Sequence, residues 1–310
     1  MKKAVILVAL ACLFIAVFSG CANERETDKI NIVCTTAPAY DWVTEILKGR
    51  ETNFLIELLG YGGELHSYEP TVKDMVMLHD SDLFVKVGGV TESWTEEIVF
   101  SEKTKVVKLF DFLDEKDLLL NSHEGHHHGE DHDFNEYDEH IWLSLKLSQK
   151  AVWGLTESIC EIDPEFSEIY KKNGTEYIEK LERLDQEYED TVSPYKNPTI
   201  IFADRYPFSY MMEDYGIFCH AAFEGCSSDA SVSAKTVATL ISRIEENDKK
   251  FVLVLENSKK QVVEAINSSL KDKKVEPLVL NSCQMVKEAR TFDYCEVMRE
   301  NLKALKKALE

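Results

Sequence analysis

Short apolar runs alternate with amphipathic stretches along most of this chain. Apolar runs predict β-strands at residues 30–35, 53–59, 83–87 and 106–109, with helical patterns at 40–47 and 71–79 between them. Strand-like runs resume at 199–202, 251–255 and 277–280, and helical patterns recur at 232–245, 259–270 and 295–309. Repetition of strand, helix and strand favours an α/β fold with mostly parallel sheets and functional groups at the carboxyl ends of the strands. Between the two patterned regions, Phe166, Ile169, Tyr170, Tyr177, Ile178, Leu181, Leu184, Tyr188 and Val192 fall mostly three or four apart. That spacing predicts a helix over 163–194, with Asp163 as cap and Pro164 as first helical residue. At 1.5 Å per residue it would extend ~45 Å, and Asn173-Gly174 is its weak point. The expected fold is α/β, with two lobes that each carry a small mostly parallel sheet flanked by helices, joined by this spine. The divisions fall at 30–162 for the N-terminal lobe, 163–194 for the linking helix and 195–310 for the C-terminal lobe.

The first residues follow a different pattern. Lys2 and Lys3 precede an apolar run from residue 4 to 18, then Ser19-Gly20-Cys21. A basic start, a short apolar run and small residues describe a secretory signal over 1–20, because a spanning helix needs ~20 apolar residues. Cysteine directly after Ser19-Gly20 resembles a bacterial lipobox, which makes Cys21 the expected lipidation site and residues 21–29 a tether. Without residues 1–20 the chain has 33 basic and 56 acidic residues, a net charge of −23. A field of that sign attracts cations and excludes nucleic acid as a partner. Six cysteines remain beyond Cys12 and Cys21; Cys219 with Cys226 and Cys283 with Cys295 are plausible bridges in an exported protein.

Five of the nine histidines, His123, His126, His127, His128 and His132, crowd into residues 121–135 among Glu124, Glu130, Asp131 and Asp133. Such a tract has no apolar face to bury and is expected to be a surface loop. Neutral imidazole suits zinc, copper and nickel, so the loop reads as an auxiliary metal-capture segment. Two further histidines stand in patterned contexts: His66 in Gly-Glu-Leu-His-Ser-Tyr-Glu-Pro after a predicted strand, and His140 in Asp-Glu-His-Ile-Trp-Leu-Ser before an amphipathic helix. His79, inside a predicted helix, reads as structural; His220 and Cys226 are outlying candidates.

These two motifs, with Ser-Asp-Leu-Phe-Val-Lys-Val-Gly-Gly between them, resemble the ligand motifs of metal-binding lipoproteins that serve bacterial ABC importers of zinc and manganese. The histidine-rich insertion resembles that of the zinc branch. The resemblance spans the whole mature chain and implies a metal held in a cleft between two lobes. It implies a Zn2+ carrier, His66 and His140 as ligands, and an ABC permease and its ATPase subunit as partners. It also implies attachment to the membrane through lipid, a monomeric state and no enzymatic activity. The zinc branch carries a third histidine after the first strand of the second lobe; Ala203 stands where it is expected here. The second lobe must then contribute through Glu256, another side chain or water, and Ala203→His is expected to tighten zinc binding. Adjacent Asp204 is a weaker candidate, expected to point to the other face. Two histidines and a carboxylate also describe catalytic zinc, but there is no Gly-x-Ser-x-Gly motif and no evident base paired with a nucleophile. A manganese carrier, a zinc hydrolase and a surface adhesin are the alternatives.

Overall fold

The computed structural model describes residues 29–59, 68–120, 137–223, 232–271, 273–286 and 288–310. The predicted signal, the lipidation site Cys21, the histidine-rich tract, His66 and Cys226 lie outside them.

Two sheets of identical topology organise the chain. In the first half, β1 (Ile30–Cys34), β2 (Phe54–Leu58), β3 (Leu83–Lys86) and β4 (Lys105–Lys108) are parallel in the order β2-β1-β3-β4. In the second, β5 (Thr199–Phe202), β6 (Phe218–Ala221), β7 (Phe251–Leu255) and β8 (Glu276–Leu280) are parallel in the order β6-β5-β7-β8. Each sheet first grows to one side and then to the other. The crevices where ligands gather therefore open beyond β1 and β3, and beyond β5 and β7. The sequence pattern misses β6, an edge strand of mixed polarity whose Phe218 is exposed. It also misses the short helix that precedes it.

Helix α1 (Ala37–Ile46) starts at Thr36, whose hydroxyl accepts from the Ala39 N–H, and carries a proline in its first turn. Helix α2 (Val72–His79) opens with a reciprocal box in which Thr71 and Asp74 each cap the other's backbone N–H. Helix α3 (Leu145–Ile162) is capped by Ser144 and ends at Asp163. The long helix α4 (Ser167–Val192) begins later than the sequence predicts, because Pro164–Phe166 form a separate 3-10 turn after Asp163. Its 26 residues span ~39 Å. Its buried positions Tyr170, Gly174, Tyr177, Leu181, Leu184 and Tyr188 form one stripe. Gly174 strengthens rather than breaks this element: a Cβ there would meet the Thr156 hydroxyl of α3 at 2.3 Å. The absence of a side chain is what lets the two helices touch.

The second half continues with α5 (Ser209–Tyr215), α6 (Ala234–Glu246), α7 (Gln261–Ser269) and α8 (Tyr294–Leu309). One apolar cluster runs through both halves, joining Trp42 and Val85 to Leu181 and Tyr188 of the spine and to Phe202 and Leu253. A separate cluster, containing Ile201, Ala203, Leu240, Val252 and Ile266, lies under α6 and α7 on the opposite face of the second sheet. Among the described residues no helix is long and apolar enough to cross a membrane.

Candidate metal centre

His140 stands just before a 3-10 turn, Ile141–Leu143, that leads into α3. It is buried, with 6% of its surface exposed. The Asp138 Oδ1 atom accepts from the His140 backbone N–H at 3.0 Å and lies 2.6 Å from the ring Nδ1. Burial works against the Asp138 charge, but His140 and the Ser209 hydroxyl outweigh it and hold the carboxyl below its ordinary range. An ionised carboxylate only accepts, so Nδ1 carries a proton, and in the neutral ring the lone pair falls to Nε2. Such an outer carboxylate fixes the tautomer and aim of a metal-binding imidazole.

The neighbouring residue anchors the same loop. Glu139, also buried, accepts from both the backbone N–H and the hydroxyl of Thr91. Gly89 makes room for it, since a Cβ there would meet Glu139 Cγ at 2.2 Å. Trp142 packs edge-on to the His140 ring, centroids 5.4 Å apart, and its indole N–H donates to the Ser282 carbonyl at 2.9 Å.

Ser282 leads to the second-lobe candidate. Its N–H donates to Glu256 Oε2 at 3.0 Å and its hydroxyl to Oε1 at 2.8 Å. Glu256 immediately follows β7, and a carboxylate has about four acceptor sites, so both oxygens keep capacity for a cation. The turn that holds it is itself fixed. Cys283 takes the left-handed backbone at φ 60°, with its N–H bonded to Asn281, and Asn301 of α8 brackets Asn281 with two hydrogen bonds. Glu256 also lines a cavity of about 790 Å³ with Asn257, Asn281, Glu288, Asp293 and Glu296.

Other expected residues fall elsewhere. The N–H of Ala203 donates to the Leu253 carbonyl, extending the β5 ladder by one residue, and its methyl packs in the α6–α7 cluster with Ile201. Alternation along a strand thus sends Ala203 to the outer face, while Ile200 and Phe202 face the core shared by both halves. A histidine at 203 would enter apolar packing, which corrects the expectation that it would restore a ligand. Asp204 lies in a bend past the ladder. Its Oδ1 accepts from the Arg205 N–H, and its buried Oδ2 has no hydrogen-bond partner among the described residues. His220 sits beside Arg243 of α6; burial and that guanidinium hold its pKa down. His79 approaches the Val99 carbonyl at 3.4 Å, in keeping with a structural part.

The expected bridge between Cys283 and Cys295 does not form; both are free, and burial pushes the Cys295 thiol up to about 11. Cys219 is free and half-buried, and desolvation raises its thiol to about 12. Among the described residues no three His, Cys, Asp or Glu side chains are grouped to hold a metal. Within the histidine-rich tract, His123-Glu124-Gly125-His126-His127 has the spacing of a zinc-hydrolase helix motif. Its glycine and polar neighbours provide no apolar helical face. Sequence reasoning missed Asp138, Glu139, Ser282 and Tyr210; an acid two residues before a candidate ligand was the one available signal.

The family model described as ZnuA, zinc-uptake complex component A, periplasmic, matches residues 32–308. The zinc-binding lipoprotein AdcA of Streptococcus pneumoniae is 32% identical over 317 aligned residues, covering 100% of this chain and 62% of AdcA. The chain therefore spans less than two thirds of that relative. The high-affinity zinc uptake system protein ZnuA of Bacillus subtilis is 30% identical, with 98% of this chain and 97% of the relative covered. Among solved structures, Zn(II)-bound AdcA of S. pneumoniae superposes with a TM-score of 0.71 at 29% identity, over 91% of this chain and 58% of that one. The metal-dependent lipoprotein YcdH of B. subtilis gives 0.73 at 27% identity, over 91% and 100%. With both the match over residues 32–308 and the shared two-sheet topology in hand, the chain belongs to the ZnuA family of periplasmic zinc-uptake components.

Proposed function

We propose that this protein captures Zn2+ outside the cytoplasmic membrane, anchored by lipid on Cys21, and delivers it as a monomer to an ABC permease driven by its ATPase subunit. The observation that carries the reading is the buried Asp138–His140 pair, an imidazole already oriented for a cation, in a chain of the zinc-uptake family. His66 and His140 supply the imidazoles, and Glu256 supplies a carboxylate from the second lobe, oriented by Ser282 as His140 is by Asp138. Asp204, with a buried oxygen that has no described partner, is the reserve candidate. Two imidazoles and a carboxylate suit zinc at ~2.0–2.2 Å per bond, with water as a fourth ligand. The histidines of 121–135 gather zinc weakly and pass it to this site.

Nitrogen ligands favour zinc over manganese, whereas an oxygen-rich set would reverse the order. Metal analysis of the purified mature chain, followed by competition between Zn2+ and Mn2+, tests the reading. One equivalent of zinc that manganese does not displace is expected. Preference for manganese would overturn the choice of metal, and binding of neither ion would overturn the function.

A further inference from the structure

The His140 loop is held from the second lobe as well as the first. Tyr210, in α5, is buried with 3% of its surface exposed. Its hydroxyl donates to the Asp138 carbonyl at 2.9 Å and accepts from the Leu119 N–H at 3.1 Å. Leu119 and Asp138 are already joined, since the Asp138 N–H donates to the Leu119 carbonyl at 2.8 Å, and Leu120 pairs with Tyr137 in an antiparallel bridge. The phenol thus closes a three-way junction of two first-lobe segments and one second-lobe helix. The Asp138 carboxylate beside this junction is the one that holds His140 Nδ1.

One residue of α5 therefore grips the backbone of Asp138, next to the carboxylate that orients His140. The helix follows β5 closely and belongs to the second sheet's half of the molecule. Any displacement of that half relative to the first must stretch these bonds or carry Asp138 with it. Because Asp138 sets the tautomer and direction of His140, the displacement reaches the imidazole.

We propose that Tyr210 is a positioning residue through which the second lobe sets the aim of His140. This rests on the reading of His140 as a zinc ligand. It gives the second lobe an influence on the first-lobe ligand that involves no metal contact of its own. Loss of the outer partner of a ligating imidazole weakens metal sites about 10–100-fold, and Tyr210 acts one bond further out, which sets the expectation at the lower end.

The test uses the mature chain with Tyr210→Phe, which keeps the ring and removes the hydroxyl, and separately with 3-fluorotyrosine in place of Tyr210, which keeps the hydroxyl and changes its donor strength. Three quantities are measured: zinc affinity by competition with a chelator, thermal stability without metal, and the side-chain 15N signals of His140 without metal. Those signals are assigned by their loss in His140→Gln. Tyr210→Phe is expected to weaken zinc about tenfold and to shift the Nδ1 signal of His140; the fluorinated chain should also shift it. A fall in stability with zinc affinity and both nitrogen signals unchanged would reduce Tyr210 to a packing residue and overturn the proposal. If Tyr210→Phe fails to fold, the spectrum of the fluorinated chain decides alone, and an unmoved Nδ1 signal overturns it. Should the wild-type chain bind no zinc, the function reading fails, while the metal-free nitrogen signals still decide whether α5 positions the ring.

Discussion

A neutral imidazole binds a cation through one nitrogen while the other carries the proton, and at His140 the Asp138 carboxylate takes the hydrogen bond of that proton. Glu256 is oriented in a parallel way by the N–H and hydroxyl of Ser282. Ala203 is the contrasting case, a small buried residue in the apolar cluster that holds Ile201, Leu240, Ile244 and Val252. Ala203→His would force a larger polar ring into that packing, at a cost of about 1–3 kcal/mol. It is expected to lower the unfolding midpoint and leave zinc affinity unchanged. Tighter zinc binding at undiminished stability would place position 203 at the metal after all. His140 was legible as a candidate because it follows the histidine-rich tract at the start of an amphipathic helix, in a motif that resembles the family's ligand motif. Its supports were not, because Tyr210 and Asp138 are 72 residues apart and Trp142 and Ser282 are 140 apart. No local pattern encodes which hydroxyl or carbonyl the fold will bring alongside.

Helices α1, α4 and α8 meet at a buried acid. The Asp41 carboxylate on α1 accepts from the Tyr177 hydroxyl on α4 at 2.7 Å, and the Cys295 thiol of α8 donates to that hydroxyl at 3.6 Å. Burial, opposed by the Tyr177 hydrogen bond and reinforced by Asp293 and Glu45, pushes this acid up to about 7. An acid raised in the folded state keeps its proton where the unfolded chain has lost it. Its contribution is therefore full below about pH 4 and is lost as pH rises through about 7. Asp41→Asn retains an acceptor for Tyr177 and has no charge to bury. Its stability relative to wild type should rise by on the order of 1–3 kcal/mol between about pH 4 and pH 7, read from denaturant unfolding. A difference constant with pH would show that Asp41 titrates alike in both states. Periodicity made the long helices and inner strands legible, since β7 is apolar throughout and β5 is apolar after Thr199. It failed at β6, whose polar edge offers no alternation, and at the start of α4, where Asp163 and Pro164 turn the chain before the helix begins.

The whole molecule is two copies of one strand order joined by a 26-residue helix, with an apolar core that passes from one half to the other. In the proposed site His140 comes from the first half and Glu256 from the second, and the Trp142–Ser282 and Tyr210–Asp138 hydrogen bonds join the two halves. The strong acidic balance of the chain, −21 overall, attracts cations. The family, the two-lobed α/β plan and the metal chemistry were legible from motifs and alternation; the outward packing of Ala203 and the unbridged Cys283 and Cys295 emerged only from the fold. The central claim is that one tight zinc site depends on His140, apart from weak capture by the histidines of 121–135. Zinc titration of the mature chain carrying His140→Ala, by competition with a chelator, tests it most directly. The account predicts that the tight equivalent disappears while weak binding to the histidine-rich tract remains. A tight site that survives in this variant would contradict it.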